Sequence, residues 1–295
     1  MSETAKQTPR TYRGNCHCGA FVFEVEAPEI TSAFACNCSI CTKRGYLWGI
    51  FTGEDNIKVV KDDGLLVDYY FGPKKTNHKF CSKCGIAPIG YNDSSPKDNN
   101  VAVNVRVIQD LDTYKLKIDT MDGAALDPQY DVPTYTGPEP PAKFESGPGH
   151  TYHGSCHCGA VTLALKMETP LDHTYKGQVI ECNCSICRRA GYTWVYPAKD
   201  QTVIQGAENL SYYVFATTNW RKAFCKTCGV HLLNVLNPLT DEEVAALSDS
   251  AREFRATRGH MRPVNIRVLN GFDLKSIEVT KSDNGTKFGV PYVNP

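Results

Sequence analysis

The chain carries fourteen cysteines among its 295 residues, and their spacing is the feature that most clearly points to chemistry. They fall into C-x-C and C-x-x-C units, seven in each half of the chain. Neighbouring sulfurs at such spacings can reach one zinc ion at about 2.3 Å. Seven thiolates cannot all serve one tetrahedral zinc, whereas four plus three gives a closed structural site and a second site with an open position. A C-x-C turn and a distant C-x-x-C knuckle can close the four-sulfur site: Cys16, Cys18, Cys81 and Cys84 in the first half, Cys156, Cys158, Cys225 and Cys228 in the second. The compact triplets Cys36, Cys38, Cys41 and Cys182, Cys184, Cys187 can then each hold a further zinc, up to four per chain. Spacing by itself does not fix that partition.

An open three-thiolate zinc keeps a net negative charge and a Lewis-acidic vacancy, so an incoming thiol binds there as thiolate near neutral pH. A sulfur so held can attack a small carbonyl; alternatively the metal polarises the carbonyl oxygen. Cations follow each triplet, Lys43 and Arg44 in the first half, Arg188 and Arg189 in the second. They suit the carboxylates of a bound thiol, against the alternative of a solvated turn. Tyr46 and Trp48, matched by Tyr192 and Trp194, can wall a substrate pocket, although their alternation suits strand packing at least as well. Asn37 and Asn183 lie between ligands and more often satisfy local backbone groups. Arg106 and Arg267, inside apolar runs beside Asn104 and Asn265, read as partners in structural ion pairs. His17 and His157 sit between cysteines that already supply a complete ligand set.

The elements that must position these groups are repeated. Gly14-Asn15-Cys16-His17-Cys18-Gly19-Ala20 returns as Gly154-Ser155-Cys156-His157-Cys158-Gly159-Ala160, Phe80-Cys81 to Gly85 as Phe224-Cys225 to Gly229, and Val103-Asn104-Val105-Arg106-Val107 as Val264-Asn265-Ile266-Arg267-Val268. The repeat is a whole domain. We divide the chain into a disordered tail over 1–10, a first zinc-binding domain over 11–130, a Pro/Gly-rich linker over 131–149 and a second domain over 150–295. Alternating runs at Phe21–Glu26, Val101–Val107 and Val161–Leu165 predict strands and a mainly β architecture. Cys84 and Asn104 are 20 positions apart but Cys228 and Asn265 are 37 apart, so the second copy holds an insertion. Its capping box, Thr240-Asp241-Glu242-Glu243, followed by Val244, Leu247, Ala251 and Phe254, predicts an extra helix near a site.

Composition narrows the function classes. No apolar run approaches the roughly 20 residues of a membrane span. Thirty-two basic and thirty-two acidic residues balance, with no basic block of the kind that binds nucleic acid. The polar N-terminal stretch lacks the apolar core of a secretory signal, which points to a cytoplasmic, reducing setting where thiolates persist and disulfides are rare.

The G-x-C-x-C-G-A opening, C-x-C-S-x-C centre and F-C-x-x-C-G knuckle, each present twice, resemble the glutathione-dependent formaldehyde-activating enzyme family, which also includes centromere protein V. The resemblance implies tandem Mss4-like β domains, a four-cysteine structural zinc and a three-cysteine catalytic zinc in each. It also implies glutathione as cosubstrate, added to formaldehyde in a step that is formally the reverse of a carbon–sulfur lyase reaction, and so a carbon–sulfur lyase class. The expected partners are a small-molecule thiol and an electrophile, formaldehyde or something larger. Two other readings stand beside it: a zinc-stabilised interaction module without catalysis, and a specialised metabolic enzyme that uses a cleft between the two domains.

Overall fold

The computed structural model describes residues 8–125, 130–216, 218–283, 285 and 291–295; Met1–Gln7 of the expected tail fall outside them. The chain divides into two compact units, Met1–Tyr130 with Val293–Pro295, and Asp131–Tyr292. Each is mainly β and Mss4-like, as the motifs imply. No helix among the described residues is long and apolar enough to cross a membrane.

Unit 1 contains β1 (Arg10–Asn15), β2 (Phe21–Ala27), β3 (Ser32–Cys36), α1 (Ser39–Arg44), β4 (Trp48–Thr52), β5 (Ile57–Asp62), β6 (Leu66–Val67), β7 (Thr76–Cys81), β8 (Ile89–Asn92), β9 (Val101–Asn104) and β10 (Lys117–Met121). These make a three-stranded sheet, β1-β2-β5, and a seven-stranded sheet, β10-β3-β4-β9-β8-β7-β6. Strand β10 runs parallel to β3, with Met121 opposite Cys36. Alternating apolar residues of β2 bury Phe23 and Val25 in the core, where Val105, Phe80 and Ile89 are also enclosed. The apolar surface removed from water by such residues is the main favourable term in folding.

Unit 2 repeats the plan with β11 (His150–Ser155), β12 (Thr162–Met167), β13 (Ile180–Cys182), α2 (Ser185–Ala190), β14 (Trp194–Val195), β15 (Thr202–Gln205), β16 (Leu210–Val214), β17 (Trp220–Cys225), β18 (His231–Leu236), α3 (Asp241–Ala245), α4 (Asp249–Arg258), β19 (Val264–Asn265) and β20 (Thr280–Ser282). Its sheets, β11-β12-β15 and β16-β17-β18-β19-β14-β13-β20, match those of unit 1 strand for strand. The Pro-rich stretch from Asp131 counts with unit 2 and buries Tyr135 and Ala142.

Three local expectations change. The run Val101–Val107 is a strand only to Asn104; its side chain accepts from Arg106 N and turns Val105–Val107 into a 3-10 helix. The expected single helix of the insertion is two. Thr240 and Glu243 do form the capping box of α3, but Ser248 Oγ then accepts from Ala251 N and starts α4 afresh. Within α4 Ala251 is buried while Phe254 is 48% exposed, so Phe254 is not a core residue. Finally, α1 and α2 are helical turns that the strand-like pattern did not announce.

A proline-bearing segment is tied down on each unit in the same way. In unit 1, Arg13 Nε and Gln109 Nε2 donate to Pro295 O at 3.1 and 3.2 Å, and the Pro295 ring lies against Gly19. In unit 2, Asn270 Nδ2 donates to Pro133 O at 3.0 Å, and the Pro133 ring lies against Gly159.

Candidate metal centres

All fourteen cysteines are free thiols, and they gather into four groups. Cys16, Cys18, Cys81, Cys84 and Cys156, Cys158, Cys225, Cys228 form two sets of four; Cys36, Cys38, Cys41 and Cys182, Cys184, Cys187 form two sets of three. Within each set the sulfurs lie within 4.8 Å of one another.

The four-sulfur sets have the dimensions of a zinc site. Sulfurs about 2.3 Å from a tetrahedral zinc are about 3.8 Å apart. Here Cys16 and Cys18 Sγ are 3.7 Å apart and Cys18 and Cys81 Sγ 3.5 Å; in unit 2 both corresponding separations are 3.6 Å. Two of the sulfurs follow β1, while Cys81 ends β7 and Cys84 follows it, so the site staples the small sheet to the large one. Phe21 N donates to Cys16 Sγ, and Val161 N to Cys156 Sγ, both at 3.3 Å.

The three-sulfur sets are built by a strand end and a helical turn. Cys36 closes β3, Cys38 caps α1 and Cys41 lies inside it; α1 stops at Gly45, whose φ of 60° is the left-handed conformation glycine adopts without strain. Arg106 Nε donates to Gly45 O at 2.6 Å, pinning that end, and Arg267 Nε does the same to Gly191 O at 2.7 Å. Arg267 also forms a 2.7 Å ion pair with Glu181. Trp48 Nε1 points at Cys41 Sγ at 3.4 Å, and Trp194 Nε1 at Cys187 Sγ at 3.5 Å. Each tryptophan therefore orients a sulfur as well as packing. Hydrogen bonds of this kind fix a ligand's direction and tune its basicity.

Two residues of the site are missing from the sequence reading. A Cβ on Gly123 would lie 2.4 Å from Cys36 Sγ, and one on Gly285 2.5 Å from Cys182 Sγ. The backbone after the last strand of each unit thus presses on the triplet. Asn37 holds it there: its Nδ2 donates to Asp122 and its Oδ1 accepts from Ala124 N, both at 2.8 Å. Asn183 Oδ1 accepts from Gly285 N at 3.0 Å.

The thiols of a triplet share their protons unevenly. Hydrogen bonds from Cys38 and then Cys41 pull Cys36 down to about 2. Cys38, donating to Cys36, is pushed up to about 11. In unit 2 the low member is Cys184, held well below the ordinary thiol range first by Cys182, then Cys187, with a further contribution from the charge of Lys222. Metal loading therefore releases protons from the high members.

In unit 1 the three sulfurs open into a cavity of about 440 Å³, walled also by Trp48, Phe71 and His78 and rimmed by Lys75. That volume suits a small-molecule ligand. Lys43 and Arg44 are both buried and are not among the cavity's walls. Arg44 donates to Tyr46 Oη and lies over the Tyr46 and Phe80 rings. Arg189 is 2% exposed, donates to Ser185 O and lies over Tyr292, while Arg188 is half-buried. Tyr192 packs 4.3 Å from Trp194, centroid to centroid. His17 and His157 are buried beside the four-sulfur sets, which contain only cysteine ligands.

The family model for glutathione-dependent formaldehyde-activating enzymes matches residues 11–121 and again 151–258. The chain belongs to this family. Its two matched stretches span both sulfur sets of each unit, apart from the glycine contacts at Gly123 and Gly285. Among solved structures, a crystal structure of a Rhodobacter sphaeroides protein is similar at 30% identity, over 36% of this chain and 99% of that one, with a TM-score of 0.32.

Proposed function

We propose that each unit carries a structural zinc on its four cysteines and a reactive zinc on its three, and that the reactive site forms or cleaves a carbon–sulfur bond between glutathione, or a related thiol, and formaldehyde or a larger electrophile. The observation that carries this reading is the unit 1 triplet, whose three sulfurs form part of the wall of a ligand-sized cavity instead of being sealed by a fourth. Bound zinc would supply a Lewis-acidic centre that favours the thiolate form of an incoming thiol.

The chain's own residues do the rest. Trp48 and Trp194 hold the third sulfur of each triplet in place. Gly123 and Gly285 leave room for sulfurs that any side chain would displace. Phe71 and Trp48 shield one side of the cavity from water, and His78 presents an imidazole to it that can accept or return the proton of the reacting thiol. Lys75, on the unit 1 cavity wall, and Arg188, next after Cys187 in unit 2, are the cations we assign to the distant carboxylates of a glutathione-sized thiol, while Lys43, Arg44 and Arg189 are buried. The lyase assignment, the cytoplasmic setting and the small-molecule partners follow from this reading.

Two measurements test it. Metal analysis of the full chain is expected to find about four zinc ions, two of them readily removed by a chelator. Calorimetric titration with glutathione is expected to show binding that disappears when the readily removed pair is stripped. Binding that survives with only two tightly held zinc ions present would place the thiol elsewhere and overturn the assignment.

A further inference from the structure

Opposite the sulfurs, two positions on neighbouring strands differ between the units in a way that shared chemistry does not require. In unit 1, His78 on β7 is the register partner of Gly90 on β8, and both line the cavity. The repeat places Lys222 on β17 and Asn234 on β18 at these positions in unit 2, and they too are register partners. Both are buried, Lys222 to 9% exposure and Asn234 to 8%. Lys222 Nζ sits over the Tyr192 and Trp194 rings, 5.6 and 5.2 Å from their centroids. Because Trp194 Nε1 also reaches Cys187, this puts the ammonium beside the sulfur triplet.

No carboxylate among the described residues forms an ion pair with Lys222. Glu181, on the strand that ends at Cys182, is held by Arg267 and Thr193. Asn234 Oδ1 is enclosed and meets no donor among the described residues. An amide oxygen enclosed in this state is costly unless something else completes it. The Lys222 ammonium beside it lies over aromatic faces and near the sulfur group, but meets no hydrogen-bond acceptor among the described residues. What the pair lacks is a ligand with an anionic oxygen for Lys222 and an N–H or O–H for Asn234, close to a sulfur.

We propose that the unit 2 triplet is a site for carboxylate-bearing thiols, with Lys222 and Asn234 as a polar subsite that unit 1, having His78 and Gly90, does not share. The proposal rests on the reading of the triplets as thiol sites and adds a division of ligand class between them. It makes Lys222 the residue that sets specificity in unit 2.

The test uses the full chain loaded with cobalt, whose visible absorption reports directly on a thiol entering a three-cysteine site. The Cys38→Ser chain leaves unit 2 to report and the Cys184→Ser chain leaves unit 1. Each is titrated with mercaptoacetate and with 2-mercaptoethanol, unit 1 serving as the control for carboxylate chelation of the metal itself. In unit 2 mercaptoacetate is expected to half-saturate at about tenfold lower concentration than 2-mercaptoethanol, the size of one charge-assisted contact, while in unit 1 the two thiols differ far less. Lys222→Met in the Cys38→Ser chain is expected to abolish the preference and leave 2-mercaptoethanol binding intact. If that variant does not fold, the comparison of the two units with Lys222 present still decides. An equal preference in both units, or one that survives loss of Lys222, overturns the subsite alone. Absence of any thiol-induced change in either unit overturns the thiol-site reading, and the subsite with it.

Discussion

Units 1 and 2 hold their sulfurs with the same kinds of support and part company a few ångströms away. Both orient the third cysteine with a tryptophan N–H, both press a glycine against the first, and both pin the helical turn with an arginine. Across from this shared frame, unit 1 presents His78 and Gly90 to its cavity, whereas unit 2 has Lys222 and Asn234 at the matching positions. Tyr196 sits close enough to the second triplet that burial, and then the charges of Cys187, Cys182 and Cys184, raise its pKa. The loop after β8 also differs: in unit 1 Ser94, Ser95, Asn99 and Asn100 line the cavity, while unit 2 has α3 and α4. Helix α4 is fastened by Asn219 Nδ2 to Ala251 O and by Arg255 Nη1 to Asn237 O, both at 2.9 Å. The repeat keeps the cysteine sets and the groups that support them and changes the residues across from them.

The sharpest way to break this comparison is to set the two sulfur classes against each other. If the four cysteines hold zinc as proposed, Cys84→Ser or Cys228→Ser opens a closed site that ties two sheets together, so the affected unit is expected to lose most of its thermal stability, since structural zinc contributes directly to folding. Cys38→Ser or Cys184→Ser is expected to leave circular dichroism near that of the unaltered chain and to remove one readily lost zinc. Equal unfolding by both classes would erase the distinction between structural and reactive sites.

A smaller effect is expected at the glycines. Gly123→Ala and Gly285→Ala put a methyl group where a sulfur already lies, and each should weaken cobalt binding at its own triplet by about tenfold to a hundredfold, in the range seen when groups supporting metal ligands are altered. The four-cysteine sites should be unaffected. An unchanged cobalt titration would mean that the segments after β10 and β20 can move aside freely.

These glycines also show where sequence reading stops. The cysteines were legible because their spacing is local and their repetition doubles the signal, and the mainly β plan followed from short alternating runs. Gly123 and Gly285 were not legible, because a glycine's purpose there lies in a contact with a cysteine 87 and 103 positions earlier, respectively. Lys222 and Asn234 became visible only once strand register set them side by side. Helices α1 and α2 are six residues each, too short to display a helical period. The insertion read as one helix because Val244, Leu247, Ala251 and Phe254 keep helical spacing across Ser248, whose side chain favours starting a new helix over continuing the old one.

Trp48→Phe and Trp194→Phe sharpen the shared half of the comparison. Each keeps the ring packing and removes one N–H···S contact, so a loss of about 0.5–1.5 kcal/mol is expected in metal binding at that triplet, measured by competition with a chelator. Unequal losses in the two units would show that the common frame is not energetically common. The smallest effect is expected from Phe254→Ser in α4, within about 0.5 kcal/mol in unit 2 thermal unfolding because the ring is largely exposed. A larger loss would make the insertion part of the core.

Unit 1 is finished by Val293–Pro295, residues that follow the whole of unit 2 along the chain. On the ribosome the first unit is therefore made long before the piece that Arg13, Gln109 and Gly19 receive, whereas unit 2 has its counterpart, Pro133, from the outset. The amino-terminal unit waits for the carboxyl-terminal one, a reversal of the usual order in which domains are completed during synthesis. A released chain ending at Tyr292 should accordingly lose protease protection in unit 1 while keeping it in unit 2.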